Sequence, residues 1–142
     1  MADNLKAFMA ESAIRYKEAE YVVSDRFKDE NGNPIAWRIK ILTENEIDKL
    51  RNQCKKRVVD PKTRQSHIET DTGKLSDLMV ENCVVYPNLN DATLQDSYGA
   101  IGAIELAKTM LMPGEYGDLA LAINEANGFA SGMADKIKRA KN

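Results

Sequence analysis

The run from Cys83 to Phe129 constrains this chain most, because it joins the densest apolar supply to the clearest helix punctuation. Leading into it, Leu75, Leu78, Met79, Cys83 and Tyr86 fall at i, i+3, i+4, i+8 and i+11, an amphipathic stripe that Pro87 ends. Asn88 to Asp91 then offers capping side chains and early negative charge for a helix through Leu94 and Tyr98. Gly99 and Gly102 mark a break or a close backbone crossing, after which Ile104, Ala107, Met110 and Leu111 resume the pattern. Pro113 suits the first turn of a further helix, where Tyr116, Leu119, Ala120 and Ile123 make one face, and Asn127-Gly128 is a stop. Met133–Ala140 reads as short, basic last turns. The spacing predicts a helical part over about 73–140, and it carries no chemistry.

The first half has a different period. Asn4 is an N-cap for a short helix through Leu5, Phe8 and Met9, expected to pack one apolar stripe on the rest. RYKEAE (15–20) reads as a charged linker. Tyr21–Phe27 and Ile35–Leu42 are β-branched and aromatic, and Trp37, Ile39 and Ile41 alternate with Arg38 and Lys40. Between them Asn31-Gly32 tolerates positive φ, so a β-hairpin is predicted over about 21–42. A two-stranded ribbon is marginal alone, so Trp37, Ile39 and Ile41 should press onto helices. Thr43-Glu44-Asn45-Glu46 is a capping box opening a helix with Ile47, Leu50 and Cys54 on one face, running to about Lys55. The polar stretch 56–72 is either a loop or a second hairpin with Val58-Val59 and His67-Ile68 as strands, and it is the segment best suited to ordering on a partner. These readings give one α+β domain over 1–142, mainly α, with an N-terminal β-hairpin packed on a helical C-terminal two-thirds.

Charge is nearly balanced overall, at −2, but unevenly placed. Lys49, Arg51, Lys55, Lys56, Arg57, Lys62 and Arg64 face a single acid, Asp60, whereas 69–135 holds many acids against Lys74 and Lys108 alone. Such polarity suits steering towards a protein partner, or self-association between opposite faces. The basic stretch is therefore the first candidate for a partner-binding surface, and the acidic 91–118 face the second. No apolar run approaches the roughly 20 residues of a membrane span, and the N-terminus lacks a signal peptide's apolar core. The expected compartment is the cytoplasm.

Catalysis finds little to build from. The carboxylate sets Asp25/Asp29 and Glu44/Glu46/Asp48 lie in polar surroundings that do not raise a pKa. A single histidine, His67, sits in the polar stretch, and the cysteines Cys54 and Cys83 are far apart, which leaves no metal or cofactor site and two buried free thiols. No GxSxG, GxGxxG or phosphate-loop spacing is present. A helix-turn-helix drawn over 91–112 would carry Asp91, Asp96 and Glu105 against Lys108, the wrong sign for phosphate contacts. The basic 49–64 stretch has no aromatic residue for base stacking.

Taken together, FMAESA (8–13), YVVSDRFKDENGNPIAWRI (21–39), TENEIDKLRNQCKK (43–56), NCVVYPNLNDATLQDSYG (82–99), LAKTMLMPGEYGDLALAINEANGF (106–129) and the closing Ala140-Lys141-Asn142 carry a resemblance. In order and spacing the chain resembles the tail assembly chaperones of tailed bacteriophages and related prophages, in particular the XkdN-like group. The resemblance implies a non-catalytic role. Such chaperones coat the tape measure protein that sets tail length, keep it soluble, help recruit tail tube subunits, and leave as the tube polymerises. It implies host cytoplasm as the location and absence from mature virions. The rival readings are a structural tail completion component and a prophage nucleic-acid-binding regulator.

Overall fold

The computed structural model describes residues 4–128 and 138–141. The architecture is α+β and mainly helical: α1 (Leu5–Phe8), β1 (Tyr16–Tyr21), β2 (Trp37–Lys40), α2 (Glu44–Asn52), β3 (Lys55–Val59), β4 (Ser66–Thr70), α3 (Thr72–Cys83), β5 (Val84–Tyr86), α4 (Ala92–Tyr98), α5 (Ala103–Met110), α6 (Pro113–Ala126) and β6 (Lys138–Lys141). One antiparallel sheet runs β5-β2-β1-β6, and β3 and β4 form a separate two-stranded ribbon.

The N-terminal hairpin is present, with its first strand earlier than the sequence pattern placed it. Strand β1 is the YKEAEY run, and Tyr21–Phe27 is not a strand beyond Tyr21. Ala19 lies opposite Ile39 and Tyr21 opposite Trp37, so these four inward side chains share one face and enter the core. The inward set of β1 is a small residue and a tyrosine, which is why apolar alternation did not mark it. Residues 22–36 form an excursion whose tip is the Asp29–Asn33 turn. There Asp29 Oδ1 accepts the N–H groups of Asn31 and Asn33 (2.9 and 3.0 Å), and Gly32 takes φ +82°. Trp37 and Ile39 press onto the helices as expected, while Ile41 is only half-buried, in a cleft with Ile14 and Ala126.

The helix ends follow side-chain chemistry. Thr43 N–H donates to Glu46 Oε1 (3.0 Å) and Glu46 N–H to Thr43 Oγ1 (3.3 Å), the reciprocal box that opens α2. Asp71 and Asp91 cap α3 and α4 through the N–H groups of Lys74 and Leu94. Gly99 ends α4 in the left-handed region at φ +64°, and Gly102 opens α5 at φ +93°. A Cβ at either glycine would meet nothing within 4 Å, so both mark a break and not a close crossing.

Three further expectations are corrected. Helix α3 stops at Cys83, and Val84–Tyr86 is strand β5 paired with β2, so the helical part is interrupted there. The β-branched Val84-Val85 pair and the residue before Pro87 both favour extended backbone. At the chain's end, Lys138–Lys141 is strand β6 beside β1 and not a helical turn, while the rest of the Met133–Ala140 expectation lies outside the described residues. Helix α1 does not pack: Asn4 makes no side-chain cap, and Leu5 and Phe8 are 67% and 80% exposed.

The core gathers the inward faces of β1 and β2, the Ile47/Leu50 side of α2, and the inner faces of α3, α5 and α6 around Val80, Leu106, Leu119 and Ile123. Arg26 ties the 22–36 excursion to the α5–α6 junction. Its guanidinium pairs with Glu115 and donates to the Met110 carbonyl at 2.9 Å, while Met112 N–H donates to Glu115 Oε1 at 2.8 Å. The Arg26 hydrogen bond, aided by the Ser24 hydroxyl and the Met112 N–H, pulls the Glu115 carboxyl from its ordinary 4.5 down to about 2. A carboxyl whose pKa falls on folding contributes stability above its unfolded value, and that contribution is lost as pH falls through about 2. Urea unfolding at stepped pH should therefore show the wild type ahead of Glu115→Gln by a constant margin above about pH 5, shrinking towards pH 2. A margin independent of pH would contradict the pairing.

Candidate partner-binding surface

The basic residues singled out in the sequence fall into two groups. Lys49 and Arg51 lie on α2, about 200° apart around its axis, so they do not share a face. Arg51 is engaged within its own helix, with Nη1 at 2.7 Å from Glu44 Oε1 and 2.8 Å from Asp48 Oδ1. Its charge is largely answered locally. Lys55, Lys56 and Arg57 lie on β3, and Lys62 and Arg64 sit in the turn between β3 and β4. The structure thus brings five of the seven together on one ribbon.

The ribbon grows from a buried root. Cys54, 1% exposed, lies two residues past the end of α2, and its carbonyl accepts the Asp71 N–H at 2.6 Å. Helix α2 therefore ends short of Lys55, and the chain turns straight into β3. The far end is built by Asp60, the acid that the basic stretch encloses. Its Oδ1 accepts the Lys62 N–H at 2.7 Å, its own N–H donates to the Gln65 carbonyl at 2.8 Å, and Arg64 takes a left-handed φ of +58°. The turn presents the Lys62 and Arg64 side chains outward.

Strand register sorts the side chains onto two faces. Lys56 lies opposite Glu69 and Val58 opposite His67; Lys55, Arg57 and Val59 lie opposite Thr70, Ile68 and Ser66. On the first face Lys56 Nζ is 4.0 Å from Glu69 Oε1 and His67 Nε2 is 3.0 Å from Glu69 Oε2, so Glu69 lies against both, and Val58 is half-buried. On the second face Val59 and Ile68 are 56% and 62% exposed, and neither Lys55 nor Arg57 pairs with an acid among the described residues. The sequence marked the cations and missed this asymmetry, although period-2 alternation across the two runs could have shown it.

Among the described residues no three His, Cys, Asp or Glu side chains converge to hold a metal ion, and no helix is long and apolar enough to cross a membrane. Both thiols are buried, and burial pushes Cys83 up to about 12 despite the Asn127 amide at 4.0 Å from its sulfur. A thiol reagent at pH 8 should label neither cysteine in the folded protein and both in denaturant; rapid labelling of folded protein would mean that the ribbon root or the end of α3 opens.

Comparison with known proteins places the chain in a class of phage tail assembly proteins. The family model for the phage XkdN-like tail assembly chaperone protein matches residues 5–141, and the chain belongs to that family. It is 32% identical over 142 residues to the uncharacterized protein YqbN of Bacillus subtilis (strain 168), covering 98% of this chain and 93% of that one. It is 30% identical to the phage-like element PBSX protein XkdN of the same strain, covering 98% and 94%. The crystal structure of the protein YqbN is similar to the fold described above, with a TM-score of 0.73 at 27% identity, over 92% of this chain and all of that one. Membership implies binding to phage tail proteins, and it points away from enzymatic chemistry.

Proposed function

We propose that this chain binds the tape measure protein of its phage or prophage, keeps it soluble in the host cytoplasm, and helps recruit tail tube subunits before leaving the tail. The observation that carries the reading is the family match over 5–141. The ribbon supports it, because a strand pair and turn with five exposed cations offer a surface for another polypeptide. We assign partner binding to Lys55, Lys56, Arg57, Lys62 and Arg64, with Lys49 and Arg51 at the margin. A coat that must later be displaced suits individual contacts near the micromolar range, about −8 kcal/mol each, with many copies supplying avidity.

The test is capture. Affinity-tagged chain should retain the tape measure protein encoded with it from a co-expressing cell, and the charge-reversed Lys55→Glu/Lys56→Glu/Arg57→Glu variant should retain at least tenfold less. Equal recovery by the variant would remove the basic ribbon as the surface, and no recovery by the wild type would remove the tape measure as the partner.

A further inference from the structure

We infer that the Lys55/Arg57/Val59/Ser66/Ile68/Thr70 face of the ribbon is the docking surface, and that its occupant is an acidic amphipathic helix of the partner. The inference rests on the proposed function and names the chemistry of that contact.

The two faces of the ribbon are not equivalent. On one, the Glu69 carboxylate pairs with Lys56 and lies against the His67 ring. The other sets Val59 and Ile68, diagonal neighbours across the strands, beside Lys55 and Arg57, whose charges meet no acid among the described residues. A two-stranded ribbon gains independent stability when one face packs against another element. The exposed face has that unmet need, and it has the sign that selects an acidic cover.

The shape selects a helix. Five residues of strand span about 17 Å, close to three helical turns at about 16 Å, and a strand pair is about as wide as one helix of about 10 Å diameter. An added third strand would lie along an edge and leave Val59 and Ile68 uncovered. A helix laid along the face covers both, with apolar residues at i, i+3 or i+4 and i+7 over the valine and isoleucine and acids flanking them towards Lys55 and Arg57. Lys62 and Arg64, in the turn at the same end as Val59, extend the positive field beyond the face.

The probes are fluorescein-labelled 20-residue peptides tiling the tape measure protein encoded with this chain, read by anisotropy, beside capture of the intact tape measure protein. The peptides that bind should be acidic and should gain helical circular dichroism on binding. Val59→Ser/Ile68→Ser should weaken them at least tenfold, Lys55→Gln/Arg57→Gln at least fivefold, and His67→Gln on the opposite face less than twofold. All are exposed positions, and retained ribbon amide signals in a nitrogen–proton correlation spectrum confirm folding. If wild-type chain fails to capture the intact tape measure, the proposed function falls and this inference with it. If capture succeeds while both variants of this face bind normally, this inference alone is overturned. Binding peptides that are basic or remain extended would overturn it too. So would self-association of the chain alone that Val59→Ser/Ile68→Ser abolishes, which would give the face to a second copy.

Discussion

Trp37→Ala is expected to cost about 3–5 kcal/mol of folding stability, the range for truncating a buried tryptophan. Trp37 is 2% exposed, and its ring lies 6.1 Å from that of Phe27 at a 45° tilt. It stands on β2 beside Ile39 on the same inward face, and in register with Tyr21 of β1, where the sheet meets the helical core. Removing it leaves a void bounded by the hairpin excursion and the helices, which can close only if both move. Against a total of about 5–15 kcal/mol for a domain, such a loss is a large fraction. The melting temperature should fall by about 6–20 °C, at 2–4 °C per kcal/mol for a chain of this size. In urea the midpoint should drop with the slope unchanged. The control is Ile101→Ala, on an 87% exposed side chain, which should change stability by less than about 0.5 kcal/mol. Equal effects at the two positions would mean that the hairpin does not share the helical core.

Those two side chains also show what the sequence could and could not disclose. Trp37 and Ile39 were legible because they alternate with Arg38 and Lys40, and period 2 with one wet face has few other readings. The capping box at Thr43 and the glycines at 99 and 102 were legible because their chemistry is local. Strand β1 was not: its inward residues are Ala19 and Tyr21, and what fixes it as a strand is pairing with residues 37–40 and 138–141, far along the chain. Strand β5 failed for the same reason. Tyr86 continues the helical stripe of Cys83 on paper, and only pairing with β2 decides for the extended form. The exposure of Phe8 was likewise hidden, since periodicity says which side chains could pack and not whether a partner surface is there.

The grouping of the cations was legible in part. Net positive charge over 49–64 marked the region, but a charge count cannot see that Arg51 is held by Glu44 and Asp48, or that Glu69 pairs with Lys56. Both depend on geometry that the fold sets. What remains exposed after those pairings is a smaller surface than the basic run suggested, and a more apolar one.

The second large effect concerns the partner. Under the proposed function, the tape measure protein produced alone would expose apolar stripes along its length, and each leucine-sized side chain taken from water is worth about 1.5–3 kcal/mol. Uncovered, those stripes associate with one another, and the protein should sediment. If many copies of this chain coat it as proposed, each bound modestly, the same stripes would be shielded while net charge keeps the assembly dispersed. Co-expression should therefore raise the soluble tape measure at least tenfold over expression alone, and the Trp37→Ala variant should forfeit much of that gain at growth temperature. The most direct measurement is the fraction of tape measure protein left in the supernatant after high-speed centrifugation, with and without this chain. The account predicts that most of it stays up with the chain and pellets without it; the same distribution in both samples would contradict the proposed function.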